Sequence, residues 1–263
     1  MIRTSHADPP RDRWGRPKID GTSYTRASTL AKALDDGTTL GKWKARMAVI
    51  GIARNPDLLA LAATTDPGDR DALNDIAERA LERAGGTVGR DTGTSLHAAM
   101  EMLDCAEDVT HLPGYLLRDA LAYQSVCEAE SLTPVLSETF VVNDHMGAAG
   151  SFDRLLWDDA GETYVIGDIK TGSSDDLDYV LRYSGLAWAM QLAIYAGGRP
   201  WHGVWQEWAD LDVATPDQTR GVIFYIQRGS GTCHPLWLDL EVGRRAAQLA
   251  ADVRAIKKAK VAA

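Results

Sequence analysis

Three observations predict a mixed α/β fold. Apolar residues recur at helical spacing up to about residue 131, alternate with polar ones after Pro134, and return to helical spacing at about 175–196 and 241–260. The order is therefore helices, a three-stranded meander, a helix, further strands and a last helix, in a chain of 263 residues that suits one elaborated domain.

Residues 1–21 are rich in Pro, Arg, Asp and Gly without a period, so a flexible basic tail is expected there. LAKAL, TLGKWKARMAVIGIA, a short helix opened by Asn55-Pro56, and RDALNDIAERALERAG closed by Gly85-Gly86 make 22–87 a helical region expected to pack on the core. The core is expected over 88–263. It starts with helices at about 90–107 and 114–131, followed by strand runs at about 135–142, 148–157 and 162–170 separated by turns rich in Asn, Asp and Gly. A long helix at about 175–196, a short strand near 201–206, the strands GVIFYIQ and CHPLWLDL, and a basic C-terminal helix complete it.

A composition of 45% hydrophobic and 25% charged residues excludes disorder throughout and a collagen-like repeat. The longest nearly apolar stretch, GLAWAMQLAIYAGG, is too short to span a bilayer and carries a glutamine, so no membrane partner is expected. No signal-type apolar run follows the basic N-terminus, which places the protein in a cytoplasm. Three cysteines at wide spacing, with no Cys-x-x-Cys pair, read as reduced small hydrophobes.

Charge is uneven. Residues 1–54 carry 11 Lys and Arg against 5 Asp and Glu, and 244–263 carry 6 against 1, whereas the middle carries 11 against 31. Basic ends around an acidic centre suit a protein that grips a polyanion with its flanks and gathers carboxylates for metal ions; an unevenly charged, solvated surface is the competing reading. The candidate grips are Arg11, Arg13, Arg16, Lys18, Lys42, Lys44, Arg46, Lys257, Lys258 and Lys260.

The sharpest local feature is GDIKTG, in which Asp168 and Lys170 project from one face of a strand. The preceding strand holds Asp153 in GSFD. With a turn over Asp158–Gly161 and Trp157 paired to Glu162, Asp153 falls opposite Ile166, one diagonal step from Asp168. Carboxylates this close repel unless a cation lies between them, and hard oxygen ligands suit Mg²⁺ or Mn²⁺. A neighbouring lysine can orient water or stabilise charge on a phosphate oxygen, which is the equipment for cutting a phosphodiester. A lone Asp-x-Lys is commonly an exposed ion pair. Its weight here comes from an ordered set: His97 on a helix, Glu138, Asp153, then Asp168 with Lys170 on successive strands, and Gln191 with Tyr195 on one helix face. Glu138 shares the face of Asp153 if the turn at Asn143–Met146 has four residues, and points away if it has five.

GTSLH ending at His97, GSFD ending at Asp153, Asp168-Ile169-Lys170, and Gln191-Leu192-Ala193-Ile194-Tyr195 resemble the motifs of the PD-(D/E)XK nucleases. The resemblance is in particular to the RecB-like exonuclease branch with its phage and CRISPR-associated members, over about 88–228. The resemblance implies a restriction-endonuclease-like core and a metal-dependent DNA nuclease, with exonuclease action on linear DNA favoured, in phage-type recombination, replication or DNA processing. It implies His97, Asp153, Asp168 and the Ile169 carbonyl as ligands of Mg²⁺ or Mn²⁺, Lys170 as the residue that positions or activates water, and Gln191 and Tyr195 as supports for the metal-site loop and the DNA. It leaves room for self-association or a phage recombination partner. The four cysteines that hold an iron–sulfur cluster in some CRISPR-associated relatives are missing, so no such cluster is expected. A nuclease-like fold that binds nucleic acid or a protein without cutting is the rival reading.

Overall fold

The computed structural model describes residues 3–4, 9–35, 37–86, 88–202, 207–208 and 213–259. The chain opens with the short strands β1 (Arg3–Thr4), β2 (Lys18–Ile19), β3 (Thr22–Ser23) and β4 (Thr25–Arg26), then α1 (Ala27–Ala31). Helices α2 (Thr38–Arg54), α3 (Pro56–Thr64), α4 (Arg70–Arg83), α5 (Val88–Asp104) and α6 (Gly114–Ala129) follow. The meander is β5 (Leu132–Asn143), β6 (Ala148–Asp158) and β7 (Thr163–Gly172). After it come α7 (Leu177–Val180), a π-helical turn (Leu181–Gly185) and α8 (Leu186–Ala196). Strands β8 (Arg199–His202), β9 (Glu207–Trp208), β10 (Arg220–Gln227) and β11 (Thr232–Asp239) lead to α9 (Leu240–Lys258).

Met1–Leu34 with Ser95–Ala263 form one compact unit and Asp35–Thr94 the other. In the smaller unit α2 packs on α3 and α4. A Cβ at Gly51 of α2 would run into the Ala80 carbonyl of α4, so that glycine sets how closely the two helices meet.

The larger unit is mixed α/β around a mostly antiparallel sheet, ordered β11-β10-β7-β6-β5-β8-β9, with β1 added to β5 and β4 to β6. The β7–β10, β1–β5 and β4–β6 pairs are parallel. Apolar side chains of α1, α8 and α9 cover one face around Phe152, Ile166 and Ile223, and those of α5 and α6 cover the other around Leu156, Val165 and Phe224. Among the described residues no helix is long and apolar enough to cross a membrane.

Four local expectations need correction. Pro9–Arg26 is an ordered arm rather than a tail: β2 pairs with β3, β4 joins β6, and Ile19 and Tyr24 are buried with Phe140 and Trp201. Two anchoring apolar side chains suffice there, which bulk composition hides. Strand β5 starts before Pro134, because the ladder shifts between Pro134 and Leu136 and the bulge absorbs the missing N–H. The long helix expected at 175–196 runs from Leu177 to Ala196 but carries a π turn at Leu181–Gly185 instead of uniform α spacing. The short strand expected near 201–206 is observed as β8 and β9, with 203–206 outside the described residues.

The turn between β6 and β7 also sits one residue further on, at Asp159–Glu162, since Asp158 pairs with Thr163. Asp158 holds that turn by accepting the Ala160 and Gly161 N–H groups at 3.0 and 3.2 Å, and Glu162 takes φ +48°. Trp157 consequently faces Tyr164 instead of Glu162, a two-residue slip that preserves which face each side chain occupies. The β5–β6 loop has four residues, Asp144–Gly147, because Asn143 pairs with Ala148.

Candidate metal centre

The centre forms where the sheet forks. The β6–β7 ladder ends at Arg154 and Gly167, whereas β7 stays paired to β10 as far as Gly172 and β6 stays paired to β5. Asp153 and Asp168 are the first residues beyond the shared ladder, and continuing the register sets them across from each other. On the other side of β6, Glu138 lies between the pairs Ser137–Arg154 and Thr139–Phe152 and therefore across from Asp153. Glu138 has φ +45°, a strained conformation for an L residue inside a strand.

Helix α5 brings His97 to the fork. Its Nε2 lies 3.2 Å from the Ile169 carbonyl oxygen and its Nδ1 3.5 Å from Asp153 Oδ2. Ligating atoms of His97, Glu138 and Asp153 all lie within 4.8 Å of one another. Two ligands about 2.1 Å from one octahedral ion stand roughly 3 Å apart in cis and about 4.2 Å apart in trans. The His97–Asp153 pair at 3.5 Å is already near that spacing, and the set would have to close slightly around a common cation. The set mixes an imidazole with carboxylates and a carbonyl, chemistry that suits Mn²⁺ or Mg²⁺ better than a thiolate metal.

Asp168 is 2% exposed. Its Oδ1 accepts from Gln191 Nε2 at 3.5 Å, while Oδ2 pairs with the Lys170 ammonium. Asp153 is better supported, since its Oδ2 accepts the Ile169 N–H at 2.7 Å.

Charge at the fork is undercompensated. Burial, then the charge of Asp153, pushes Asp168 well above the usual carboxylate range against the pull of Lys170. Glu138 is raised to about 7, by burial first and then by Asp153. Burial works against the Lys170 ammonium, but Asp168 and Asp153 together outweigh it and raise its pKa. Three acids thus share one ammonium and one imidazole, and a divalent ion would supply the missing positive charge.

Gln191 also donates to the Tyr195 hydroxyl at 2.9 Å. Tyr195 is buried, so its hydroxyl is a fixed acceptor that holds the Gln191 amide. Gly150 of β6 makes room for it, because a Cβ there would come within 3.3 Å of the Tyr195 ring and hydroxyl. Lys42, Lys44 and Arg46 are exposed on α2, in the smaller unit. Lys260 and the side chain of Lys258 lie outside the described residues.

A buried charge network behind the centre escaped the sequence reading. Arg154 is fully buried, pairs through Nε with Asp104 Oδ2, and donates from Nη1 to the Asp153 carbonyl at 2.8 Å. Tyr123 donates to both oxygens of Asp104, at 3.2 and 3.3 Å. Ser137 donates to Glu101 Oε1 at 3.0 Å. The available signals were an arginine set within the apolar run of β6, and the i, i+4, i+7 spacing of His97, Glu101 and Asp104 on one face of α5.

No family model matches the chain, and no curated protein matches it in sequence.

Proposed function

We propose that the protein is a divalent-cation-dependent DNA nuclease of the PD-(D/E)XK type, cutting linear DNA from its ends with Mg²⁺ or Mn²⁺. The observation that carries this reading is the meeting of His97, Glu138 and Asp153 beside the buried pair of Asp168 and Lys170 at the fork. The element order supports it too: a helix, a three-stranded meander, a helix, then a strand parallel to β7 are what a restriction-endonuclease-like core requires.

In this reading His97, Asp153, Asp168 and the Ile169 carbonyl hold the ion, with Glu138 as a further ligand or a base. The bound ion supplies Lewis-acid polarisation of the phosphate and lowers the pKa of a water. Lys170, held by Asp168, orients the attacking water and stabilises charge on the phosphate oxygens. Gln191, fixed by Tyr195, keeps the Asp168 carboxylate turned toward the cavity. Exposed basic residues, Lys42, Lys44 and Arg46 among them, give backbone contacts that are strongly salt-dependent and indifferent to sequence.

The test incubates the chain with end-labelled linear DNA and with circular DNA of the same sequence, in Mg²⁺, Mn²⁺ or EDTA. Metal-dependent release of nucleotides from linear DNA alone, lost in Asp168→Ala, is the expected result. Binding without cleavage in any metal overturns the reading in favour of a silent nuclease-like fold. Cutting of circles overturns the dependence on ends.

A further inference from the structure

The ordered arm Pro9–Arg26 carries features that folding alone does not use. Its turn Asp12–Arg16 is tightly built: Asp12 Oδ1 accepts the N–H groups of Trp14 and Arg16 at 2.9 and 3.0 Å, and Asp12 Oδ2 pairs with the Arg16 guanidinium at 2.7 Å. The Gly15 carbonyl gathers Arg11 Nη1 at 3.1 Å and Arg26 Nε at 3.0 Å. Gly15 itself has φ +70°, a conformation that favours glycine. This frame holds up Trp14, which is 62% exposed with the guanidinium carbons of Arg13 and Arg16 at 3.9 and 4.9 Å from its ring centroid. A large aromatic ring on a rigid turn and in solvent packs nothing in the core.

Beside the turn lies a cavity of about 130 Å³, lined among others by Arg11, Arg26, Ser28, Gly150, Ser151 and Tyr195. It is wide enough for several waters and so for a phosphate group. Ser151 precedes Asp153 by two residues on β6, and the Tyr195 hydroxyl is bound by the same Gln191 that reaches Asp168. The cavity and the acidic centre therefore share a wall. Residues 9–26 carry five Lys and Arg against two Asp, a charge that complements a polyanion in a unit whose centre is acidic.

We propose that this arm is a single-strand nucleic-acid site: Arg11 and Arg26 seat a backbone phosphate in the cavity, and Trp14 stacks on an unpaired base. The exposed Arg13 yields its place on the ring to the base and turns to a phosphate, while Arg16, tied to Asp12, keeps backing the indole. A paired base inside a duplex offers Trp14 no open face, so the arm favours unpaired strands. The identity of the polymer rests on the nuclease reading above, whose substrate class the arm narrows.

The experiment measures fluorescence anisotropy of a labelled oligothymidylate and of a blunt duplex of equal length, on the full chain in EDTA, where no cleavage interferes. Wild type should prefer the single strand. Trp14→Ala should weaken single-strand binding about 5- to 100-fold, Trp14→Phe should restore most of it, and duplex binding should change little. Arg11→Gln and Arg26→Gln should weaken both and lower the salt slope by about 1 each. Far-ultraviolet spectra and melting curves check that each variant is folded. Equal affinity of Trp14→Ala and wild type for the single strand overturns the proposal. So does a Trp14 dependence as strong with heparin as with the oligonucleotide, which would mark a general polyanion site. Aromatic-dependent single-strand binding with no cleavage in any metal sinks the nuclease reading alone, whereas intact metal-dependent cleavage with unchanged KM in Trp14→Ala sinks the arm alone.

Discussion

Asp158 and Asp168 are equally buried, and both belong to the β6–β7 pair, yet their surroundings differ in kind. At the turn end Asp158 receives the Arg220 guanidinium at 2.6 Å and two backbone N–H groups, so its charge is compensated by the protein itself. At the fork, Asp153, Asp168 and Glu138 share one lysine and one histidine, with Asp168 paired to Lys170 and Asp153 beside His97. Buried carboxylates alone therefore do not mark a site. What distinguishes the fork is that the protein brings carboxylates out of water without completing their compensation, which is costly unless something from outside completes it.

The largest effects should come from the fork. Asp168→Asn is expected to remove several kcal/mol of barrier lowering, about 10³-fold or more in single-turnover cleavage. Lys170→Met is expected to cost about 10²–10⁴-fold. Either variant retaining wild-type rates would erase the distinction between the two ends. Stability should move the other way: in EDTA, Asp168→Asn should melt at or above the wild-type temperature because it relieves a like-charge contact, whereas Asp158→Ala should cost about 1–3 kcal/mol by denaturant titration and leave cleavage near wild type. Asp104→Ala tests the buried network. It strands the Arg154 guanidinium in the interior and should cost about 3–5 kcal/mol. A subtler effect is expected of Gln191→Ala, about 10- to 100-fold in cleavage with the fold intact, because it only orients Asp168.

The smallest effect is a pH dependence. Glu138 is raised from 4.5 to about 7, so between those values the folded chain binds the proton more tightly than the unfolded chain does. Stability in EDTA should therefore be highest below about 4.5 on this account and fall as pH rises through about 7. Glu138→Gln should flatten the fall. Mn²⁺ at pH 8 should raise the wild-type melting temperature, and no response to metal at that pH would count against the centre.

Much of this contrast was legible in the sequence because strand alternation is robust. The turn after β6 was placed one residue too early and the pairing slipped by two, yet an even slip leaves Asp153, Asp168 and Lys170 on the expected faces. The order of elements suggested His97 and Glu138 as members of the set. The place of Glu138 hung on a loop length that the sequence left open between four and five residues, and the pairing of Asn143 with Ala148 decides it. What stayed hidden depends on tertiary contacts. The burial of Arg154 against Asp104 needs α5 laid on the sheet, and the order in Pro9–Arg26 rests on Ile19 and Tyr24 finding Phe140 and Trp201. The π turn left no mark in the periodicity, since one extra residue in a long apolar helix changes little in its composition.

That turn has a consequence for engineering the protein. It adds one residue to a helical path, so helical phase is reset between Val180 and Leu186 while α8 stays seated on the sheet through Met190, Leu192 and Ala193. Deleting a single residue within Leu181–Gly185 would restore ordinary α spacing and rotate Asp176–Val180 by about 100° about the axis, with Gln191 and Tyr195 left in place. The same rotation would move Val180 and Leu177 away from the core they share with α8, so re-aiming the segment leaving β7 carries a packing cost.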